Sequence, residues 1–157
     1  MEHGAGDFGI LYQQLQTAAS TRVAALVRVT SNEKTLFKRA LDAGADGIVV
    51  PFVNSANEAA SAVAAMRYPP AGVRGVASSV RATTFGNNFA EYQAASDKEL
   101  LTVVQIETIQ GVEAASDIAA VDGVDVLFVG PNDLSFSLGL PRQFDHPDFI
   151  DALIRVS

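Results

Sequence analysis

Two apolar segments that each lead into an acidic residue decide the fold. They are TVVQIET at residues 102–108 and VLFVGPNDL at residues 126–134. An apolar run of this length, bounded by polar residues and glycine, is typical of a strand buried on both faces of a sheet. The acids of two successive strands, Glu107 and Asp133, can then face one point at the sheet edge, which is the geometry that a hard divalent cation needs.

The rest of the chain alternates short apolar runs with segments of helical periodicity. The predicted strands are residues 23–29, 47–51, 101–108 and 126–130, and the predicted helices are residues 32–43, 55–66, 111–121 and 147–156. We expect Ser31 to cap the first of these helices and Gly44 to end it. We interpret His146, which precedes Pro147 at a helix start, as a structural or surface residue.

A long segment at residues 68–88 is rich in Pro, Gly, Ser and Thr. A loop of this length in a compact domain is usually functional. We therefore expect residues 74–86 to line the pocket or to contact another subunit. Arg74 and Arg81 within it are as easily explained as solvated surface charges, which is where arginines are mostly found.

A weak internal repeat supports a parallel sheet. Residues 43–51 (AGADGIVVP) and 122–131 (DGVDVLFVGP) both contain a helix end, an acid, a buried strand and a proline. Alternation of this kind leaves a (β/α) barrel and an open doubly wound sheet as alternatives. No Gly-x-Gly-x-x-Gly segment follows a strand, and polar residues recur at the strand carboxyl ends, where barrels place their chemistry. Both observations favour the barrel.

The sequence therefore predicts one α/β domain over residues 1–157, a partial TIM (β/α)8 barrel truncated at both termini. The four predicted strands and 157 residues are fewer than the eight strands and roughly 250 residues of a complete barrel. We expect the chain to run from about the end of the second strand to the helix after the sixth, with Met1 an internal residue of a longer protein. Uncovered sheet edges would favour self-association, and a catalytically inactive fragment is one alternative.

Composition excludes several classes of function. The chain has no Cys, which rules out disulfides, a thiolate metal site and a Cys nucleophile. The net charge of −7 argues against nucleic acid and anionic membranes as partners, because both need a basic surface. No apolar stretch approaches a membrane span and no targeting pattern opens the sequence, so we expect a cytoplasmic protein.

Five short motifs, taken in order, resemble those of the HpcH/HpaI aldolase family of metal-dependent pyruvate aldolases. They are EHG at 2–4, VRV at 27–29, RYPPAGVRG at 67–75, QIET at 105–108 and GPNDLS at 130–135. The resemblance covers essentially the whole chain. It implies a class II aldolase, a carbon–carbon lyase that cleaves a 4-hydroxy-2-oxo acid to pyruvate and an aldehyde through a metal-stabilised enolate. It also implies a homo-oligomer, usually a hexamer.

The resemblance assigns roles to the polar residues at the strand ends. Glu107 and Asp133 match the family's ligands to Mg²⁺ or Mn²⁺, and an oxygen-ligand site of this kind also accepts Co²⁺. Arg28 matches the residue that contacts the keto oxygen and offsets enolate charge. His3 matches the base that works on the 4-hydroxyl group, a task for which imidazole is the most common side chain. The Asp that orients this His in the family lies three residues earlier, which is before Met1.

The segment Gly130-Pro131-Asn132 matches the site for the pyruvate carboxylate, with backbone N–H groups near the start of a helix as donors. Gln105 lies at the same strand end and is a candidate to hold a metal-bound water. An ordinary strand-to-helix turn is the alternative for this segment. Glu107 and Asp133 could likewise be a helix-start acid and an N-cap, and Arg28 could simply pair with a neighbouring acid.

Two other enzyme classes compete with this interpretation. A Schiff-base aldolase needs a desolvated lysine at a strand end, but Lys34 and Lys38 lie on a predicted helix and Lys98 precedes a strand at the opposite edge. A CoA-ester lyase of the citrate lyase β type has a similar acidic metal pair. The RYPPAGVRG segment favours the pyruvate aldolases over that lyase.

Overall fold

A computed structural model describes residues 3–4 and 6–157 as a parallel sheet with helices between its strands. The strands are Leu26–Arg28 (β1), Gly47–Val50 (β2), Leu101–Ile106 (β3) and Val126–Val129 (β4). The helices are Phe8–Ala18 (α1), Lys34–Asp42 (α2), Ala56–Met66 (α3), Phe89–Glu99 (α4), Ile109–Glu113 (α5), Ala115–Ala119 (α6), Pro131–Ser137 (α7) and Pro147–Val156 (α8). A short 3₁₀ segment spans Arg81–Gly86.

The four strands are parallel and lie in the order β1-β2-β3-β4. A doubly wound sheet reverses its strand order at a switch point, whereas a barrel adds each strand beside the previous one. The observed order is therefore that of a partial (β/α)8 barrel, and the predicted fold class is confirmed.

The two faces of the sheet have different surroundings. The helix-covered face carries apolar side chains that are fully buried, among them Ile48, Val50, Val104 and Ile106. They pack against helix residues such as Phe37 of α2. The opposite face carries large apolar residues that are 36–50% exposed: Leu26, Leu101, Val126 and Phe128. This second face corresponds to the barrel interior, and it also carries the polar residues of the candidate site.

Gly44 ends α2 as predicted. Its φ is +93°, its N–H donates to Leu41, and the next N–H, from Ala45, donates to Ala40. These two bonds form the Schellman motif, which favours glycine at the left-handed position. The predicted Ser31 cap is wrong, because α2 begins at Lys34 and its N-cap residue is Glu33. The Ser31 hydroxyl contacts the Glu33 carboxylate instead.

The acids of the internal repeat hold the amino ends of neighbouring strands. Asp46 accepts the N–H of Ala25 at 2.7 Å and returns its own N–H to the Ala25 carbonyl. Asp125 does the same with Thr102, also at 2.7 Å. The repeat is therefore a structural device at the amino edge of the sheet, the edge opposite Glu107.

Several predicted element ends need correction, and two helices were not predicted. The strand predicted at 23–29 is only Leu26–Arg28, β3 ends at Ile106, before Glu107, and the helix predicted at 111–121 is two short helices that meet at Ala114. Helices α1 and α4 lack a continuous apolar stripe, since α1 buries only two residues and α4 buries only Ser96. Across the described residues no helix is long and apolar enough to span a membrane.

Candidate active site

Glu107 is a buried carboxylate just beyond the end of β3, and both of its oxygens accept hydrogen bonds. Its Oε2 accepts the backbone N–H of Phe52 at 3.1 Å, and its Oε1 accepts the side-chain amide of Gln105 at 2.8 Å. The residue is only 3% exposed. A buried charge is costly unless it is hydrogen-bonded or bound to a cation. The hydrogen bonds to Glu107 offset part of that cost and fix the position of its carboxylate.

Because Gly130 has no side chain, it leaves space for the carboxylate of Glu107. A Cβ at position 130 would lie 2.1 Å from Glu107 Oε1 and 2.6 Å from its Cγ. The φ of Gly130 is −90°, a value that any residue can adopt. Glycine is therefore required here by close packing and not by backbone conformation. The Gly130 N–H donates to the Ile106 carbonyl at 3.1 Å, which keeps the start of α7 beside the end of β3.

The side-chain oxygen of Gln105 is a further hydrogen-bond acceptor next to Glu107. Its Nε2 is bonded to Glu107, but its Oε1 is buried and has no hydrogen-bond partner among the described residues. A buried acceptor without a partner indicates a missing donor, such as a water or a ligand. Oxygen donors of this kind suit Mg²⁺ or Mn²⁺, so the residues present fit a hard divalent cation.

The described residues, 3–4 and 6–157, contain no cluster of three or more His, Asp or Glu side chains. A cation held by two carboxylates would take waters or the substrate as its other ligands. Asp133 is the predicted second carboxylate. It lies exposed in the first turn of α7, three residues after Gly130. The N-cap of α7 is Gly130, so the alternative role of Asp133 as an N-cap is wrong.

The register of the sheet places Arg28 on the same face as Gln105. Arg28 aligns with Val49, and Val49 aligns with Val103, which is two residues before Gln105. Arg28 is the last residue of β1 and is half-buried. The predicted residues Arg28, Gln105, Glu107 and Gly130 therefore lie on one face at or near the carboxyl ends of their strands.

The remaining predicted residues lie at the periphery. Pro131 and Asn132 are exposed in the first turn of α7. His3 is exposed in a bend that precedes α1. Of the EHG motif, Glu2 lies outside the described residues. The roles predicted for His3, Pro131 and Asn132 stay predictions.

Sequence reasoning missed Phe52, which contributes through its backbone. Phe52 follows β2 by two residues and has a φ of +51°, a left-handed value that is uncommon for a residue with a Cβ. Its N–H holds Glu107, and its side chain is 46% exposed. No side-chain pattern in the sequence indicates a backbone donor, so only the structure could identify it.

The loop arginines belong to the opposite edge of the sheet. Arg81 donates to the carbonyl of Ala43 at 2.6 Å and to that of Leu15 at 3.1 Å, which caps the ends of two helices. Arg74 is 1% exposed and donates to Asp42 at 2.9 Å. These two side chains do not line the candidate site at the carboxyl edge, which corrects that expectation, and Arg74 is buried and not solvated. The expected contact of this loop with another subunit stays a prediction.

The Arg74 side chain also lies over two tyrosine rings. The centroid of Tyr68 is 4.5 Å away and that of Tyr92 is 5.4 Å away. Burial raises the pKa of each tyrosine hydroxyl, and the positive charge of Arg74 partly offsets that rise. Burial by itself lowers the pKa of Arg74, but Tyr92 and Asp42 raise it and the net shift is upward. Arg74 and Asp42 therefore form an ion pair inside the protein, with the two tyrosine rings beside it.

The lysines lie on helices, and His146 has the predicted structural position. Lys34 and Lys38 lie on α2, and Lys98 lies in the last turn of α4 before the amino end of β3. Lys34 opens α2 after the carboxyl end of β1, but it is exposed on the helix and not desolvated at a strand end. His146 is the N-cap of α8, where its Nδ1 accepts the N–H of Asp148 at 3.2 Å.

Comparison with known proteins gives concordant matches over nearly the whole chain. A profile of the HpcH/HpaI aldolase/citrate lyase family matches residues 1–157. The 5-keto-4-deoxy-D-glucarate aldolase of Shigella boydii serotype 18 (strain CDC 3083-94 / BS512) is 44% identical over 152 residues, covering 97% of this chain and 59% of that protein. The chain thus spans about three-fifths of the length of the curated relatives that it matches.

Two solved structures share the fold at substantial identity. An HpcH/HpaI aldolase/citrate lyase family protein from Burkholderia cenocepacia J2315 superposes with a TM-score of 0.94 at 41% identity, covering 99% of this chain and 63% of that one. The HpcH/HpaI aldolase of Desulfitobacterium hafniense DCB-2 gives a TM-score of 0.90 at 35% identity, covering 99% and 60%.

Proposed function

The chain belongs to the HpcH/HpaI aldolase/citrate lyase family, and from this premise we propose that it forms the metal-binding part of a class II aldolase. The proposed reaction is the reversible cleavage of a 4-hydroxy-2-oxo acid to pyruvate and an aldehyde. The observation that carries the proposal is the buried Glu107 carboxylate, which two hydrogen bonds and the absent side chain of Gly130 hold at the carboxyl edge of the sheet.

We propose Glu107 and Asp133 as the protein ligands of a Mg²⁺ or Mn²⁺ ion, with Co²⁺ as a further option. When bound, such an ion supplies a Lewis acid that polarises the keto group of the substrate and stabilises enolate charge. Glu107 is oriented for this role by the Phe52 N–H and the Gln105 amide. The Oε1 of Gln105, which has no hydrogen-bond partner among the described residues, can accept a hydrogen bond from a water beside Glu107, which supports the role predicted for Gln105.

The other site residues have roles that follow from their chemistry and position. The Arg28 guanidinium, at the end of β1 and on the face that carries Gln105, is proposed to contact the keto oxygen and offset the negative charge that develops there. Gly130, Pro131 and Asn132 are proposed to receive the pyruvate carboxylate at the start of α7. His3 is proposed as the base that takes the proton of the 4-hydroxyl group.

The substrates we propose are pyruvate and a small aldehyde, with neither nucleic acid nor a membrane as partner. One relative's name, 5-keto-4-deoxy-D-glucarate aldolase, supports a hydroxylated oxo acid as the substrate in the cleavage direction. A cytoplasmic location and a homo-oligomeric assembly, a hexamer by family resemblance, stay predictions.

Isothermal calorimetry of Mn²⁺ binding, with and without pyruvate, tests the proposal directly. We expect Mn²⁺ to bind and pyruvate to strengthen that binding, because pyruvate supplies further oxygen ligands. Glu107→Gln and Asp133→Asn should each weaken Mn²⁺ binding by about 100-fold or more, since loss of a ligand exceeds the 10–100-fold effect of an outer-shell change.

Asp125→Asn is the matched control, because Asp125 is an exposed carboxylate whose partner is the Thr102 N–H at the opposite edge. It should keep the wild-type Mn²⁺ affinity. Wild-type chain that is folded by circular dichroism yet binds no Mn²⁺ would overturn the proposal. Mn²⁺ binding that pyruvate does not strengthen would instead favour the CoA-ester lyase alternative.

A further inference from the structure

The side chain of Asn54 is hydrogen-bonded to both segments that border Glu107 at the carboxyl edge. Its Nδ2 donates to the carbonyl of Phe52 at 3.0 Å, and its Oδ1 accepts a hydrogen bond from the hydroxyl of Thr108. Phe52 donates its N–H to Glu107, and Thr108 follows Glu107 in the chain. One half-buried amide therefore connects the backbone donor of Glu107 to the residue next to Glu107.

The backbone of Asn54 is fixed at the start of α3. Its N–H donates to the Glu58 carboxylate at 2.7 Å, and the Glu58 N–H donates at 3.2 Å to the hydroxyl of Ser55, the N-cap residue. This arrangement is close to a capping box, in which an acid of the first turn reaches back to a backbone N–H. The position of Asn54 is therefore set by α3, and its side chain can in turn hold Phe52.

Thr108 selects the orientation of the Asn54 amide. Thr108 is the N-cap of α5, and its hydroxyl oxygen accepts the N–H of Gly111 at 2.9 Å. A hydroxyl has a single proton, and here that proton is directed to Asn54 Oδ1. The Phe52 carbonyl can only accept a hydrogen bond, so the amide nitrogen of Asn54 must face it. Both partners therefore require the same orientation of the amide.

Phe52 has a backbone conformation that needs such support. Its φ of +51° is uncommon for a residue with a Cβ, and its side chain is 46% exposed, so packing of the ring offers little compensation. Such conformations persist only where the surroundings over-determine them, and they cluster at functional sites. Three hydrogen bonds hold this segment: the Phe52 N–H to Glu107, the Asn54 amide to the Phe52 carbonyl, and the Val53 N–H to the Gln105 carbonyl at 3.1 Å. The bond from Asn54 is the one that a substitution can remove without changing Glu107 or the backbone.

We propose that Asn54 is a positioning residue for Glu107. Its amide holds Phe52 in the left-handed conformation, and that conformation directs the Phe52 N–H to Glu107 Oε2. The proposal rests on the proposed aldolase function, because Glu107 is the proposed metal ligand. It makes Asn54 a determinant of metal affinity that acts through the backbone N–H of a neighbouring residue.

Hydrogen exchange of the metal-free chain, followed by ¹⁵N NMR, and calorimetry of Mn²⁺ binding test the proposal together. In Asn54→Ala we expect the Phe52 amide to exchange about tenfold faster than in wild type, because one hydrogen bond no longer closes this segment. We expect the Mn²⁺ Kd to rise about 10- to 100-fold, as for other changes behind a metal ligand. A merely structural role would lower the free energy of unfolding and leave both quantities unchanged.

Asn32→Ala is the matched control. Asn32 also donates its side-chain amide to the start of α3, but its partner is the Glu58 carbonyl, at 3.0 Å. This variant should keep the wild-type exchange rate at Phe52 and the wild-type Mn²⁺ Kd. Equal changes in Asn32→Ala and Asn54→Ala would overturn the proposal, because the effect would then belong to the start of α3 as a whole.

Phe52→Gly tests the mechanism through the strain itself. Glycine adopts a positive φ at no steric cost, so the support from Asn54 should matter less. We expect Asn54→Ala to raise the Mn²⁺ Kd by a factor about threefold smaller in the Phe52→Gly background than in wild type. Equal losses in the two backgrounds would overturn the proposal.

The pair Thr108→Ala and Thr108→Ser tests the same contact if Asn54→Ala does not fold. The serine variant keeps the hydroxyl and should keep the wild-type Mn²⁺ Kd, whereas the alanine variant should raise it and speed exchange at Phe52. Equal Mn²⁺ affinities in these two variants would overturn the proposal.

The wild-type calorimetry separates this proposal from the aldolase proposal. Wild-type chain that binds Mn²⁺, with a folded Asn54→Ala variant that binds it equally well, overturns the positioning role alone. Folded wild-type chain that binds no Mn²⁺ overturns the aldolase proposal and, with it, the role of Glu107 that Asn54 is proposed to serve.

Discussion

At the amino edge of the sheet each acid of the internal repeat binds a backbone N–H, whereas at the carboxyl edge a buried carboxylate lies beside an acceptor that has no partner. Asp46 and Asp125 are exposed and each makes a 2.7 Å bond to a neighbouring segment. Glu107 is buried, and the adjacent Gln105 Oε1 has no partner among the described residues. The amino edge uses its polar groups to stabilise the fold, and the carboxyl edge keeps polar capacity for a ligand.

Gly130 at the carboxyl edge differs from two glycines that form turns at the amino edge. Gly44 and Gly123 at the amino edge have φ values of +93° and +98°, so they serve the turns that lead into β2 and β4. Gly130 at the carboxyl edge has an ordinary φ and serves only to admit Glu107. Gly47 at the amino edge also lacks a positive φ and is packed against Leu101 and Leu26, so it is the carboxylate beside Gly130 that indicates a site, not the packing alone.

The largest effect on stability is expected from Arg74→Met at the amino edge. The substitution leaves Asp42 without its partner, and breaking a buried pair costs about 3–5 kcal/mol in the free energy of unfolding. Urea unfolding followed by circular dichroism measures the change. Mn²⁺ affinity of the folded variant should equal that of wild type, because Arg74 contacts Asp42, Tyr68 and Tyr92 and none of the candidate ligands.

Arg67→Met is the control for burial. Arg67 pairs with Asp122 at 3.2 Å, but the Asp122 side chain is 96% exposed. An exposed pair contributes about 0–1 kcal/mol, so this variant should unfold near the wild-type midpoint. Equal losses in the two variants, or weaker Mn²⁺ binding in Arg74→Met, would contradict the division of roles between the edges.

A smaller change, Gly130→Ala, should separate stability from binding. The new Cβ would overlap Glu107 Oε1 at 2.1 Å and displace the carboxylate. We expect Mn²⁺ affinity to fall about 10- to 100-fold, as for other changes that reorient a ligand, and stability to fall by about 1–3 kcal/mol from overpacking. Calorimetry and urea unfolding on one preparation measure both quantities.

Gly44→Ala is its counterpart at the amino edge. A Cβ there would lie 2.4 Å from Arg81 Nη1 and would force a left-handed alanine, at a cost of about 1–2 kcal/mol. Its Mn²⁺ affinity should stay at the wild-type value. If Gly44→Ala weakens Mn²⁺ binding as much as Gly130→Ala does, the loss reflects general destabilisation and the carboxyl edge has no special role.

The sequence allowed the strands and the acid positions to be predicted because both depend on local pattern. Buried strands of a parallel sheet appear as continuous apolar runs, so β2, β3 and β4 and the acid after β3 could be located within a few residues. Gly44 could be predicted because a helix end has a local signal. Helices α1 and α4 bury too few residues to show a periodic stripe, and no pattern marked them.

The missed parts of the site depend on contacts between residues far apart in sequence. The Phe52 N–H reaches Glu107 across 55 positions, and the steric need for glycine at 130 exists only when Glu107 lies against it. Arg74 was ambiguous for the same reason, because its partner Asp42 lies 32 positions earlier. A charged loop residue has the same appearance in sequence whether it is buried or solvated.

The Arg74 cluster at the amino edge has two buried polar atoms without a hydrogen-bond partner among the described residues, Arg74 Nε and the Tyr68 hydroxyl, and the hydroxyl provides the smallest expected effect. The Tyr68 hydroxyl is buried under Arg74 and has no hydrogen-bond partner among the described residues. An unsatisfied buried hydroxyl is costly to desolvate. Tyr68→Phe should therefore leave stability at pH 7 unchanged or raise it by up to about 1 kcal/mol, whereas Tyr92→Phe should lower it, because Tyr92 accepts two bonds from Arg74.

Tyr68→Phe should also change how the free energy of unfolding depends on pH above about pH 9. Burial raises the pKa of Tyr68 above that of the unfolded chain, so the folded state keeps its proton when the unfolded state has lost it. The resulting stability loss is absent below the unfolded pKa of about 10 and grows as pH rises from there through the folded pKa. Tyr68→Phe removes this group, so its free energy of unfolding should fall less than that of wild type between about pH 9 and 11. Parallel urea titrations across that range measure the difference, and identical slopes would contradict a raised pKa of Tyr68 in the folded chain.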